Sequence, residues 1–411
     1  MKFLLVAGAR PNFMKIAPIL RAMKGVEGLE PVLVHTGQHY DEAMSASFFR
    51  DLGIPEPDVH LEAGSGTHAE QTGRIMVAFE RVCDEQKPDW TVVVGDVNST
   101  LACAIVAKKA GVSVAHVEAG LRSRDLTMPE EINRMVTDSI SDLFFVTEQS
   151  GMDNLLAEGK PAERIHLVGH VMVDNLLHQL RQLEGENGSR FTAARFKPAA
   201  GTYAFLTLHR PANVDDPKAF GGIAAALNRI AESHPILFPV HPRTRQRIDA
   251  FGVNLAERIV QLPPLGFQEA LYLWKDAAVV LTDSGGLQEE TTALGIPCLT
   301  LRDNTERPVT VTEGTNTLAG TTTESILAAW EAFRRNGGKA GRVPELWDGR
   351  AAERIVEVLL GAEVGDRKSE DRGRRSEVGG RRAEVGGRRS EAGGETAKQM
   401  EPPIAEDRKK N

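Results

Sequence analysis

The sequence has few features that would tie it to a membrane, to nucleic acid or to an oxidising compartment. No stretch approaches the roughly 20 apolar residues of a transmembrane helix. The apolar run after Phe3 ends at Arg10, too early for the apolar region of a signal peptide. The formal net charge of −8 argues against bulk attraction to nucleic acid. The three cysteines (Cys83, Cys103, Cys298) lack CxxC spacing, as in proteins with free thiols. We therefore expect a cytoplasmic protein without nucleic-acid or membrane partners.

The sequence also lacks the usual signs of a cofactor. The turn after the first predicted strand reads Gly8-Ala9-Arg10-Pro11 and is not the GxGxxG of dinucleotide-binding proteins. No group of histidines, cysteines and acids has metal-ligand spacing. We therefore expect neither a metal nor a redox cofactor.

Short apolar runs alternate with helical patterns in two successive series. Because several runs are apolar on both faces, they are typical of parallel strands covered by helices on each side. The first series has strands predicted at Phe3–Ala7, Pro31–Thr36, Trp90–Gly95, Ser113–Val117, Leu143–Thr147 and Ile165–Val168. The second has them at Tyr203–Leu208, Ile236–Val240, Ile259–Leu262, Val279–Thr282 and Cys298–Leu301. The pattern predicts an α/β protein with two doubly wound, Rossmann-like domains and a cleft between them.

The predicted domains are residues 1–170 and 171–361, and a helix near Ala351–Leu360 closes the second. Residues 364–411 differ in composition and repeat the seven-residue pattern GRRSEVG, GRRAEVG and GRRSEAG. Each repeat offers one Val or Ala and two Gly, so it cannot form a coiled-coil seam. We expect this tail to be disordered.

Carboxylates follow several strands of the first series. Asp96 ends the third strand, Glu118 follows the next, and Glu130 and Glu131 come soon after. Because the carboxyl ends of parallel strands share one edge of a sheet, these acids are expected to converge there, with either Glu130 or Glu131 taking part. Carboxylates held close together shift each other's pKa, which creates acid and base roles.

Cations and glycines follow other strands. Arg10 and Lys15 stand where the first strand leads into a helix, and His209 ends the first strand of the second series. Ser284–Gly286 lead from a strand into a helix, whose N-terminus attracts phosphate. Glu290 lies further along that helix, where a carboxylate can accept hydrogen bonds from ribose hydroxyls, and Arg307 is a candidate pyrophosphate or sugar contact.

Five motifs occur in a fixed order: GDVNST at 95–100, HVEAGLRS at 116–123, PEEINR at 129–134, SGGLQEE at 284–290 and NTERP at 304–308. With these motifs, residues 1–360 resemble the non-hydrolysing UDP-N-acetylglucosamine 2-epimerases. The resemblance implies a glycosyltransferase-B-like fold, a homodimer, and a role in cell-surface polysaccharide synthesis. It also implies interconversion of UDP-N-acetylglucosamine and UDP-N-acetylmannosamine through elimination of UDP, a 2-acetamidoglucal, and re-addition of UDP.

The same resemblance assigns roles to residues of this sequence. The implied catalytic set is Asp96, Glu118, Glu130 and His209. The implied contacts to the nucleotide or its phosphates are Arg10, Lys15, His209, Ser284, Gly285, Gly286, Glu290 and Arg307.

The chain departs from the family pattern in three places. The first turn reads GARPN, where many members have Thr at residue 9 and Glu at residue 12. Ala270 stands where an aromatic residue that packs on uracil is common. For a second, activating substrate site found in some bacterial members, Gln38, His39 and Gln71 match, whereas Asp41 and Glu70 do not.

Three other functions fit parts of the pattern. An epimerase for another UDP-2-acetamido sugar, such as a UDP-diacetamido-uronic acid, would use the same motifs. A retaining glycosyltransferase of the same fold would share the helix N-terminus and the ribose-binding glutamate, but would not need the three acids. A non-catalytic nucleotide-sugar sensor is also disfavoured by the acids.

Overall fold

The computed structural model describes residues 1–37, 53–185 and 188–362, with Arg10 described in its backbone only. The repeat tail and residues Gln38, His39 and Asp41 lie outside these ranges. Among the helices in them, none is both long and apolar enough to cross a membrane.

The first half of the chain builds a seven-stranded parallel sheet in the order β3-β2-β1-β4-β5-β6-β7. Its strands are β1 (Lys2–Ala7), β2 (Glu30–His35), β3 (Val59–His60), β4 (Trp90–Val94), β5 (Ser113–Val117), β6 (Leu143–Val146) and β7 (Ile165–Leu167). Its helices are α1 (Arg10–Met23), α2 (His68–Gln86), α3 (Asn98–Lys109), α4 (Pro129–Ile140), α5 (Gln149–Ala157) and α6 (Val171–Gln182). The order reverses direction beside β1 and β4, so the carboxyl ends of those strands flank a crevice suited to a ligand.

The second half builds a six-stranded parallel sheet in the order β10-β9-β8-β11-β12-β13. Its strands are β8 (Ala204–Thr207), β9 (Ile236–Pro239), β10 (Ile259–Leu262), β11 (Val279–Thr282), β12 (Cys298–Thr300) and β13 (Asn316–Leu318). Its helices are α7 (Pro211–Val214), α8 (Pro217–Ala231), α9 (Pro242–Phe251), α10 (Phe267–Trp274), α11 (Gly285–Ala293), α12 (Pro308–Thr312) and α13 (Thr323–Asn336), and α14 (Ala351–Gly361) follows them. The predicted α/β class with two doubly wound sheets is confirmed.

Two strands escaped the sequence prediction because their residues lack the apolar run of a buried strand. β3 is two residues long, and β13 (Asn316–Leu318) places the buried amide of Asn316 in the sheet interior. That amide is hydrogen-bonded to Gln288 and Thr310, which makes its burial tolerable.

The last helix, α14, packs on the first sheet. Its residues Ile355 and Leu359 are fully buried in the same apolar cluster as Phe3, Phe13 and Ile19. The chain therefore passes from the first sheet to the second and returns. Residues 1–365 form one compact unit, and the boundary between 1–170 and 171–361 stays a prediction.

Candidate active site

A cavity of about 910 Å³ lies where the carboxyl ends of the strands of both sheets face each other. This is the size range of small-molecule sites in proteins. The structure brings ten of the predicted site residues to its wall: Lys15, Asp96, Glu118, Glu130, His209, Ser284, Gly285, Gly286, Glu290 and Arg307. Arg10 begins α1 at the same edge, and its side chain lies outside the described part.

Glu118 is a buried acid at the edge of the first sheet. It follows β5 with a left-handed backbone, φ +72°, and its carboxylate forms an ion pair with Lys15 of α1. Burial alone would raise the pKa of Glu118, but Lys15, His170 and Arg307 together lower it below its usual value. A left-handed non-glycine residue costs roughly 1–3 kcal/mol, and such residues are frequent at functional sites. Glu118 is therefore a buried carboxylate held ionised at the cavity wall.

Glu130 and Glu131 differ in where their side chains point. Glu131 is 1 % exposed and accepts hydrogen bonds from the backbone N–H groups of Ser123 and Arg124. It also pairs with Arg134 at 2.7 Å. Glu130 is exposed and lines the cavity, so it is the acid that a ligand can reach.

Arg134 connects two of these acids. Its guanidinium pairs with Asp96 as well as with Glu131, and it lies on the same wall of the cavity. Asp96 is thus fixed in direction by a cation on α4.

A buried pair beneath this wall holds the ends of β4 and β5 together. His116 lies 2.6 Å from Asp138 through Nδ1 and 2.8 Å from the Gly95 carbonyl through Nε2. Asp138 also accepts a hydrogen bond from the Gly120 N–H. The turns that carry Asp96 and Glu118 are therefore both held in place by the His116–Asp138 pair.

His209 follows β8, and a buried acid orients its ring. Its Nδ1 lies 3.0 Å from Asp283, which also accepts hydrogen bonds from the backbone N–H groups of His209 and Arg210. Burial alone would raise the pKa of Asp283, but these hydrogen bonds and the histidine lower it. With Nδ1 engaged, Nε2 is the ring nitrogen left to face a ligand.

The helix α11 starts at Gly285, and its first-turn N–H groups open on the cavity. Arg307 packs over Gly285, so a Cβ added there would lie 3.6 Å from the guanidinium carbon. Arg307 also pairs with Glu289 at 2.8 Å. The helix N-terminus and the guanidinium together form a positive site for phosphate groups.

Glu290 is 7 % exposed on the same helix. Burial, and secondly the charge of Glu289, raise its pKa to about 8. At neutral pH this position therefore holds a neutral carboxylic acid.

An apolar wall borders the far side of the cavity. Ala270 lines it together with Phe267 and Trp274 of the same helix and Pro239 at the end of β9. These side chains make this part of the wall apolar, and Ala270 is the smallest of them.

Four buried residues around this cavity were not singled out by the sequence analysis: Glu148, His170, Asp283 and Glu289. Glu289 stood inside the SGGLQEE motif and Asp283 directly before it, and only the fold shows which way each side chain points. His170 carries no motif, because its proximity to the cavity depends on how the chain crosses between the sheets.

The fold and the cavity define a glycosyltransferase-B-like enzyme that acts on nucleotide sugars. Residues 21–360 match the family model of UDP-N-acetylglucosamine 2-epimerase. The chain belongs to that family, as the resemblance of its motifs predicted, and it is a nucleotide-sugar 2-epimerase, an isomerase.

Two curated relatives share 41 % of their residues with it. The UDP-N-acetylglucosamine 2-epimerase of Methanocaldococcus jannaschii aligns over 87 % of this chain and 99 % of its own. The UDP-2,3-diacetamido-2,3-dideoxy-D-glucuronate 2-epimerase of Pseudomonas aeruginosa aligns over the same shares. The crystal structure of the M. jannaschii enzyme in complex with UDP-GlcNAc and UDP superposes with a TM-score of 0.78 at 40 % identity, covering 88 % of this chain and 100 % of that one.

Proposed function

We propose that this enzyme interconverts UDP-N-acetylglucosamine and UDP-N-acetylmannosamine. The observation that carries the proposal is the pairing, in one cavity, of a buried ionised carboxylate at Glu118 with a cationic phosphate site at Arg307 and the start of α11. The first can take a proton from the sugar, and the second can receive the departing pyrophosphate.

The chemistry explains why both parts are needed. The hydrogen on C2 is not acidic enough for direct exchange, because no carbonyl group is conjugated to that carbon. Removing it together with the C1–O bond to UDP gives a 2-acetamidoglucal and UDP. Protonation of C2 from the opposite face, with return of UDP to C1, completes the inversion. General acid and base groups typically contribute about 10²–10⁴ each to such steps.

We assign the base to Glu118, because Lys15 keeps it ionised, and the opposite-face proton transfer to Asp96 or Glu130. The UDP anion is stabilised by Arg307, Lys15 and the N-terminus of α11. The proposal also places the side chain of Arg10 beside these groups. His209 contributes its Nε2 to this stabilisation of UDP, and Ser284, Gly285 and Gly286 contribute their backbone N–H groups. Glu290 accepts hydrogen bonds from the ribose.

The charges of the cavity favour a sugar without a carboxylate. Among the described residues of its wall, each Lys or Arg already has an acidic partner within 4 Å: Lys15 with Glu118, Arg134 with Asp96, Arg210 with Glu306, and Arg307 with Glu289. The pyrophosphate has to compete for two of these cations. A uronic acid would bring another negative charge without a free partner. We therefore place UDP-N-acetylglucosamine ahead of the diacetamido-uronate that the P. aeruginosa relative acts on.

The experiment is incubation of purified protein with UDP-N-acetylglucosamine in D₂O, followed by NMR of C2. We expect deuterium at C2 and a manno product. UDP-diacetamido-glucuronate is tested in parallel and is expected to turn over at least ten-fold more slowly. Absence of exchange in the first substrate would exclude the proposal, and faster exchange in the second would reverse the assignment of the sugar.

We also propose a homodimer. Helix α4 exposes Ile132, Met135 and Val136, three apolar residues on one helical face, and Leu126 just before it is 64 % exposed. Such a face is typical of a surface covered by a partner. Val136→Glu should shift the molar mass in sedimentation from dimer to monomer, with Val77→Glu, an exposed apolar position on α2, as the comparison.

We propose further that the enzyme works in the cytoplasm and supplies a precursor for cell-surface polysaccharide. The three cysteines are buried and free, which suits a reducing compartment.

A further inference from the structure

A chain of buried charges crosses the cavity floor from one sheet to the other. Lys15 pairs with Glu118 on the first side, and Arg307 pairs with Glu289 on the second. Between the two carboxylates lies His170, with its Nε2 3.0 Å from Glu289 and 3.8 Å from Glu118. The two carboxylates and the histidine are each less than 5 % exposed.

The backbone fixes which ring nitrogen of His170 carries the hydrogen. His170 caps α6, and its Nδ1 accepts a hydrogen bond from the Met172 N–H at 3.1 Å. Nδ1 is therefore an acceptor, and the hydrogen is on Nε2, the ring nitrogen that lies within 4 Å of both carboxylates.

Neighbouring groups shift the pKa of the His170 ring in opposite directions. Burial lowers the pKa of His170, Glu289 and Glu118 raise it, and the sum lies above the ordinary value. The positive end of the α6 dipole and the cap hydrogen bond oppose a second proton. Nε2 keeps its hydrogen in either state, so the donor is present throughout.

The substrate disturbs this arrangement in a definite way. The proposed pyrophosphate contacts include Lys15 and Arg307, the same two cations that neutralise Glu118 and Glu289. When phosphate oxygens draw them away, two buried carboxylates lose their partners together. A buried carboxylate without a partner gains a proton, because desolvation disfavours its charged form. A protonated Glu118 could not act as a base.

We propose that His170 is a positioning residue whose Nε2–H, shared between Glu289 and Glu118, keeps both carboxylates ionised while the pyrophosphate holds Lys15 and Arg307. This inference rests on the proposed function. It explains why a histidine with no access to the cavity wall is buried between two acids.

A metal ion is a less suitable occupant of the same place. Glu118, His170 and Glu289 offer ligand atoms within 4.8 Å of one another. Because Lys15 and Arg307 already balance the carboxylates, a divalent cation would meet repulsion from both.

Two substitutions separate the helix-capping role of His170 from its contact with the two carboxylates. His170→Ser keeps a good N-cap side chain but cannot reach Glu289, whereas His170→Ala loses both functions. We expect the Ser variant to have a melting temperature near that of the wild type and the Ala variant to have a lower one. In both variants kcat should fall at least ten-fold, with KM changed less than three-fold. The acidic limb of the kcat profile should move to higher pH in both. The groups facing Glu118 are Lys15, His170, Glu289 and Arg307, and only His170 is changed.

A binding measurement gives a readout that does not depend on turnover. Calorimetric titration with UDP in two buffers of different ionisation enthalpy counts the protons taken up. We expect His170→Ser to take up about one proton more than the wild type near pH 7, since Glu118 or Glu289 is then protonated when its cation leaves. Burial raises the pKa of Glu148 and His170 lowers it, so both proteins carry Glu148→Gln, which removes this group from the difference.

Equal proton uptake in the two proteins would overturn the inference, even if the wild type proved to have another substrate. Loss of activity in both variants with wild-type proton uptake would also overturn it and leave the epimerase proposal intact. Should both variants fail to fold, ¹⁵N-histidine NMR of the wild type decides. A hydrogen on Nδ1 of His170 and none on Nε2 in the UDP complex contradicts the proposal, and a hydrogen on Nε2 alone or on both nitrogens with a downfield-shifted Nε2–H supports it.

Discussion

Replacing Glu290 by Gln should stabilise the free enzyme and weaken its hold on UDP. The pKa of Glu290 is raised from 4.5 to about 8, so the folded protein carries a proton there that the unfolded chain has lost at neutral pH. At about 1.4 kcal/mol per pH unit, taking up that proton at pH 7 costs about 3 kcal/mol of the free energy of unfolding. Gln has nearly the same shape and no charge to lose.

The sign of the effect depends on pH. The wild type has the full stability of a neutral Glu290 below pH 4.5, and this contribution is lost as the pH rises toward 8. The gain from Glu290→Gln should therefore be near zero at pH 4.5 and largest at pH 8. Urea unfolding of both proteins at several pH values measures the difference, with Glu324→Gln, exposed in the first turn of α13, as the control.

UDP binding gives the second half of the test. An ionised Glu290 that accepts ribose hydroxyls makes hydrogen bonds of roughly 1.5–3 kcal/mol, so the variant should bind UDP about ten- to one-hundred-fold more weakly at pH 8. A difference in unfolding free energy that stays constant between pH 4.5 and 8 would refute the reasoning, because no proton would then be linked to folding at this residue.

The other predictions concern the acids, the last helix and the cavity as a whole. Glu118→Gln and Asp96→Asn should each lose at least about two decades in kcat while still binding UDP in calorimetry, and rates near the wild type would remove both from the acid–base set. Leu359→Ala should lower the free energy of unfolding by roughly 2–5 kcal/mol, measured in urea, since it leaves a hole in the core under the first sheet. Saturating UDP should reduce the radius of gyration in small-angle scattering, because the pyrophosphate joins cations of both halves; an unchanged radius would mean a fixed cavity.

The sequence predicted the parts of this protein that depend on local pattern. The buried strands were found because Val and Ile runs are apolar on both faces, and the strand-end rule placed Asp96, Glu118 and Ser284 at strand ends, all of which line the cavity. Glu130 was distinguished from Glu131 by the family resemblance, and the structure gives the reason in the hydrogen bonds that turn Glu131 inward.

What could not be predicted depends on contacts between distant segments. His170 meets Glu289 only because α6 and α11 are packed together, and no periodicity in either helix contains that information. Ion pairing between Lys15 and Glu118 likewise joins residues 103 positions apart. The sheet on which α14 packs could not be predicted for the same reason: its apolar face could have covered either one.

The return of α14 to the first sheet has a consequence for how the protein is made. Residues Ala351–Gly361 complete the core under β1 and α1, yet they are translated after the entire second sheet. At about 5–20 residues per second, a ribosome needs roughly 10–40 s to pass from β7 to the end of α14. During that interval the apolar surface around Phe3 and Phe13 lacks its cover. The first half of the nascent chain is thus a client for any chaperone that binds exposed apolar surface, and it can reach its final stability only when synthesis is nearly finished.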